Sequence, residues 1–170
     1  VAFIHEHSDT TKNLGRWYKI VFDEEINKPV ELRIRRLGRE ERKKIEKPFL
    51  RARKQRRGGQ KVLEVPSSRL EDFVIEAAIY MWTDAKNLFV KPLDDGALSF
   101  YKKHLGEDGL EKGKDIRLDG KLDREVKLHL IDEDYSIATF ITDKGILLDE
   151  EMADIDEAEV EREEAAAENL

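Results

Sequence analysis

The sequence predicts an α+β fold: an amino-terminal β-hairpin, then a mainly helical domain, then an acidic carboxyl-terminal tail. Three observations carry this expectation. Val30, Leu32 and Ile34 alternate with Glu31, Arg33 and Arg35, the period of a strand with one buried face. Leu70, Phe73, Val74, Ala77, Ala78 and Met81 recur at the i, i+3, i+4, i+7 spacing of one helix face within Ser67 to Lys86. From Asp149 to Leu170 the chain carries 11 acids against Arg162 alone. Such a run does not offset its own ordering entropy, so the tail is either disordered or a helix held by a partner. At 170 residues the chain divides into an arm, 1–15, a single α+β domain, 16–148, and the tail, 149–170.

The arm begins with the apolar patch Val1-Ala2-Phe3-Ile4 and then turns polar. His5 and His7 share a face on a strand, but a metal site needs three or four converging ligands, so they read as a surface pair. Trp17, Ile20 and Phe22 are strand-favouring, and Asp23 to Pro29 is a polar turn to the second strand. Arg33 and Arg35 fall on the outer face of this hairpin. Next comes a charged helix from Arg39 to about Lys54, with Glu40 and Glu41 early, basic residues late and Pro48 as a kink or break. Arg56 to Gln60 reads as a basic loop.

The central helix has a capping box at Ser68-Arg69-Leu70-Glu71 and a second apolar strip at Ile75, Ile79 and Trp82, so it is expected to be covered on more than one side. Leu88-Phe89-Val90 is too short to read firmly as a strand, and Asp94-Asp95-Gly96 marks a turn. Ala97 to Leu105 is a short helix with Leu98, Tyr101 and Leu105 on one face and His104 near its carboxyl end, with no catalytic role. Gly106 to Lys121 reads as an irregular surface loop. Val126, Leu128 and Leu130 alternate, but Leu130, Ile131, Ile137, Ala138 and Ile141 suit a helix face; helix is preferred, broken near Asp132 and ended at Gly145.

Composition narrows the function. Charged residues make up 41% of the chain and hydrophobic ones 39%, which predicts a modest core with polar extensions. There is no cysteine, which removes disulfides, thiolate metal sites and a cysteine nucleophile and fits a reducing compartment. No apolar run reaches the roughly 18 residues of a membrane span, and the first residues lack the pattern of a signal peptide. A cytoplasmic location is expected. The missing initiator Met fits removal of a short leader or tag.

No phosphate-loop, nucleophile-elbow, zinc-protease or kinase spacing occurs, so no catalytic residue, metal ligand or cofactor is assigned and a non-enzyme is expected. The net charge of −7 hides a contrast: Arg33 to Lys61 holds 14 Lys and Arg against 3 Glu, opposite in sign to the tail. The two stretches attract each other or await different partners. Arg51, Arg53, Lys54, Arg56, Arg57 and Lys61 form a basic patch that lacks the aromatic platforms of single-strand binders. A solvated face is its plainer reading, nucleic acid a lesser one, and an acidic protein surface a third.

The order of features resembles the tail assembly chaperones of long-tailed bacteriophages. The features are the basic hairpin Val30-Glu31-Leu32-Arg33-Ile34-Arg35-Arg36-Leu37, the charged helix Arg39 to Ile45, a helix ending in Met81-Trp82, the Asp95-Gly96 turn and a short helix to Leu105. The likeness spans about Val21 to Thr142 as an order of motifs. The basic stretch to Lys61 and the Gly-rich insertion before Leu122 depart from it.

The resemblance implies a non-enzymatic assembly factor in the host cytoplasm. Its partner would be the tape measure protein, while tail tube subunits gather around it. The implied contact residues are Phe73, Ala77, Met81 and Trp82 on the central helix and Met152 and Ile155 in the tail, although apolar periodicity usually marks core. The rival readings are a structural or connector protein that self-associates, and a nucleic-acid-binding regulator using residues 51–61.

Overall fold

The computed structural model describes residues 15–20, 29–54 and 61–168, with side chains described for all of these except 52–54, 61–62 and 152–159. The fold is α+β. Strand β1, Arg16–Ile20, pairs antiparallel with β2, Val30–Ile34, from Arg16↔Ile34 to Ile20↔Val30, so the predicted hairpin strands are present. The expected turn and the arm with His5 and His7 lie outside the described residues.

A third strand, β5 (Trp82–Lys86), pairs with the other edge of β2 and gives the order β1-β2-β5. Alternation then sorts the side chains. Ile20, Val30, Leu32, Ile34, Trp82 and Ala85 are buried on the inner face. On the outer face, Trp17 holds the Lys86 ammonium 4.0 Å and the Arg33 guanidinium 5.7 Å from its ring centre.

Helix α1 runs Arg39–Glu46, a 3-10 turn covers Lys47–Phe49, and β3, Arg51–Lys54, pairs with β4, Lys61–Glu64. The expected helix to Lys54 is therefore corrected. Pro48 supplies no amide to continue the helical ladder, and the chain re-emerges extended.

The central helix α2 spans Leu70–Met81, shorter at both ends than the sequence suggests. The capping box does not form: Ser67–Arg69 is a 3-10 turn, and Arg69 at the cap position makes no side-chain cap bond. At the other end no glycine stops the helix. Instead its last carbonyls are taken by cations and by β2. Lys127 Nζ donates to Ile79 O at 3.3 Å, Arg35 Nε to Tyr80 O at 2.7 Å, and the Arg35 amide to Met81 O at 2.9 Å. Positive charge here complements the helix dipole. Arg35 also lies 3.7 Å over the Tyr80 ring, so it is a cap and not the free outer-face residue expected. Thus satisfied, the backbone turns extended at Trp82.

Asp94 is an N-cap rather than a turn residue: its Oδ1 accepts the Ala97 amide at 2.7 Å and opens α3, Asp95–Leu105. Gly106, at φ 65°, closes it. The two-residue strands β6, Phe89–Val90, and β7, Ile116–Arg117, pair with each other. The Gly-rich stretch is therefore not merely a surface loop, since Ile116 and Leu118 are buried anchors.

Helix α4, Arg124–Glu133, and helix α5, Ser136–Glu168, bear out the helical reading, with the break two residues past Asp132. Asp134 Oδ1 accepts both the Ser136 amide and hydroxyl at that break. Helix α4 is tied to α2 by a fork, Arg124 to Glu76 at 2.5 and 2.7 Å.

Gly145 does not end the helix. It lies inside α5, and a Cβ there would stand 2.2 Å from Met81 Sδ. Close approach, not chain reversal, requires this glycine. The core formed here joins the inner sheet face to α2 and to Val126, Ile131 and Ile141 of the last two helices, and Leu148 of α5 is fully buried as well.

A double-mutant cycle tests this contact. Gly145→Val is expected to cost about 2–3 kcal/mol by overpacking against Met81. Combining it with Met81→Ala is expected to restore at least ~1 kcal/mol relative to the sum of the single changes. Urea unfolding of the four proteins measures both terms.

Candidate protein-binding surface

The implied contact residues fall on three different parts of the fold. Ala77, Met81 and Trp82 are 3%, 1% and 0% exposed. They are core, and the expectation that they present a contact strip is corrected: the sheet and α5 cover the faces that periodicity alone left open. Phe73 is half-buried, its ring edge-on to Phe49 at 6.3 Å. Met152 and Ile155 lie within α5, but their side chains are outside the described set. Of the basic patch, Arg51 is exposed on β3. Arg53, Lys54 and Lys61 occupy strand positions without described side chains, and Arg56 and Arg57 lie outside the described residues.

The acidic tail is the continuation of α5, with no break at residue 148 or 149. Its first acids meet the basic hairpin. Arg16 pairs with Glu151 at 2.6 Å, and Arg36 lies 3.9 Å from Asp149. Both pairs are partly exposed, so each contributes at most about 1 kcal/mol. Of the basic stretch Arg33 to Lys61, Arg36 meets the tail at Asp149; the closer pair is made by Arg16, which lies outside that stretch. Farther out, every residue from Val160 to Glu168 with a described side chain is exposed, Val160 at 53%. At about 1.5 Å per residue, the part of α5 beyond Glu151 extends ~25 Å along the helix axis.

A second surface was missed in the sequence. Its parts are short and sequentially scattered, and none has a period. Val90, Pro92, Leu93, Ala97 and Tyr101, with Lys91, Asp94 and Glu133, line a groove of about 390 Å³ between the end of β6 and helix α3. Leu93 stands at its rim and is 76% exposed; Tyr101 is buried. Burial and the nearby Glu133 carboxylate push the Tyr101 phenol up to about 12, so it is neutral at ordinary pH. The groove wall is tied down from two sides. The Gly113 amide donates to Pro92 O at 2.8 Å. The Asp119 carboxylate accepts the amides of Asn87 and Leu88, both at 2.9 Å, and is paired with Arg117.

Burial alone would raise the Asp119 pKa, but the Leu88 and Asn87 amides and Arg117 outweigh it and hold it below the ordinary value. The stabilisation is present above the unfolded pKa, near 4, and is lost as pH falls through the lower folded pKa. Asp119→Ala is expected to cost about 1.5–3 kcal/mol at neutral pH, because two amides lose their acceptor. The difference from the parent should narrow on acidification below pH 4. Thermal melts of both proteins at several pH values measure this.

A second cleft, of about 380 Å³, lies at His104, Leu105 and Gly120 to Asp123. His104 itself lies 4.4 Å from the Phe100 ring, whose neighbour His129 stacks at 4.2 Å. Among the described residues no group of three or more His, Asp or Glu side chains is arranged to hold a metal ion, and no helix is long and apolar enough to cross a membrane.

Comparison with protein-family models, with curated proteins and with solved structures gives no match in any of the three.

Proposed function

We propose that this chain is a non-enzymatic assembly factor of the bacteriophage tail assembly chaperone class, whose client is the tape measure protein. The single observation that carries the protein-binding part is the reach of α5. Its proximal half is packed in the core at Ile141 and Leu148, and its distal end, from Val160 to Glu168, is exposed and rich in glutamate. A helix anchored at one end and charged at the other suits a client that must be held and kept soluble. The order of elements supports the named class. A hairpin with Arg33 and Arg35 is followed by a charged helix, a central helix ending at Met81-Trp82, and a short helix begun at Asp95-Gly96.

The test is retention of the client on the purified chain. With tape measure protein from the same genome, the chain is expected to hold it at low salt and to keep holding it at high salt through apolar contact. Nucleic acid retained in its place, and only at low salt, would transfer the function to Arg51 and its neighbours. A defined oligomer with no client would favour the structural-protein reading.

A further inference from the structure

The groove over Tyr101 combines apolar and polar lining in nearly equal parts, and its lining charges are predominantly acidic. Leu93, Val90, Pro92 and Ala97 give it apolar walls. Its charged lining residues are two acids, Asp94 and Glu133, and one base, Lys91, whose ammonium lies 3.9 Å from Asp115 and is thereby partly neutralised; Glu133 lies 3.1 Å from His129. Asp95, beside Asp94, is exposed but paired with Lys112 at 3.3 Å, so the acidic excess of the lining rests on Asp94 and Glu133. A small molecule seated in the groove would leave the outward part of Leu93 uncovered. A polypeptide side chain would fill the groove while its backbone covers that rim. An acidic rim around an apolar seat selects lysine or arginine close to the inserted side chain.

We infer that this groove is a docking site for a basic, apolar-anchored segment of a protein partner, one apolar side chain seated over Tyr101 and an adjacent lysine or arginine facing Glu133. The inference rests on the client-binding reading above and assigns that client a chemistry and a seat. It places the anchor on α3 and β6, away from both the core of α2 and the acidic end of α5.

The probe is a fluorescein-labelled 18-residue amphipathic peptide of leucine and lysine, compared with its leucine and glutamate counterpart. Fluorescence anisotropy is read against the full chain, two groove variants, a control variant on α5 and a variant with the distal α5 acids neutralised. The lysine peptide is expected to bind and the glutamate peptide to fail. Leu93→Asp is expected to weaken binding at least tenfold. This change adds negative charge, which by itself would favour a cationic peptide, so a loss isolates the apolar seat. Glu133→Lys is expected to weaken binding at least fivefold and to flatten its salt dependence. Ile146→Asp, an exposed apolar position on α5 outside the groove, should leave binding unchanged.

Both test positions are exposed, and equal melting temperatures confirm that the variants are folded. Equal binding by parent and Leu93→Asp, or loss only on removing charge from the distal α5, overturns the groove. The same variant separates this inference from the function it rests on. If the parent and Leu93→Asp retain tape measure protein equally, the groove is not the client's seat and the chaperone reading stands. If the parent retains none, the chaperone reading fails, and peptide binding alone decides the groove.

Discussion

Replacing Gly15 with alanine is expected to unfold the sheet edge and to cost at least about 3 kcal/mol. Gly15 has φ +93°, a conformation that costs an L-residue of order 1–2 kcal/mol. A Cβ there would also stand 2.1 Å from the Ile34 carbonyl oxygen and 2.4 Å from the Arg35 nitrogen. Both are backbone atoms of the central strand region and cannot rotate away. β1 would have to lift from β2 at the Arg16↔Ile34 end. The Gly15 carbonyl, which accepts from Arg33 Nε at 3.2 Å, would move with it. Gly38→Ala is the control. Its φ is −66°, and the nearest atom to a new Cβ is the flexible Glu41 carboxylate at 3.5 Å. Gly38 is the N-cap of α1, where alanine is less favourable than glycine, so that change is expected to cost no more than about 1 kcal/mol. Urea midpoints for the two variants measure the contrast.

Trp82→Ala is expected to be the most damaging truncation in the core, at about 3–5 kcal/mol. Trp82 is fully buried at the junction where α2 becomes β5 and belongs to the one core cluster that helix and sheet residues share. Its Nε1 donates to Asp84 O at 3.1 Å, and that bond helps set the first residues of the strand. Trp82→Phe keeps most of the volume and loses the bond, and is expected to cost about half as much. The only other tryptophan, Trp17, is half-exposed on the outer sheet face. A Trp17→Phe background therefore makes intrinsic fluorescence a report on Trp82 alone, with blue-shifted emission in the fold and a red shift on unfolding.

Strong, local periodicity made parts of this fold readable. The two hairpin strands follow from the alternation at Val30, Leu32 and Ile34, and α2 from the spacing of Phe73, Ala77 and Met81. What failed was decided by tertiary partners. The end of α2 depends on Lys127 and Arg35, which lie 48 and 45 residues from the carbonyls they serve. Gly145 resembles a helix stop, but its place is fixed by Met81 across the core. β3 and β4 carry few apolar residues and were hidden under their charge.

The site was less readable than the fold. A periodic apolar helix is a core signal and a contact signal alike, and here it is core. The groove, by contrast, depends on two-residue strands and on a capping aspartate, which leave no period to detect. Asp94 and Asp119 look like any turn acids in the sequence, yet one opens α3 and the other clamps β6.

On the function proposed above, this chain keeps an elongated protein client soluble. The most direct measurement is the soluble fraction of the tape measure protein from the same genome, expressed with and without the chain. The client is expected to be mostly insoluble alone, to become soluble on co-expression and to elute with the chain in one peak. An equally soluble client in both cases, or a rescued client that elutes without the chain, would contradict it.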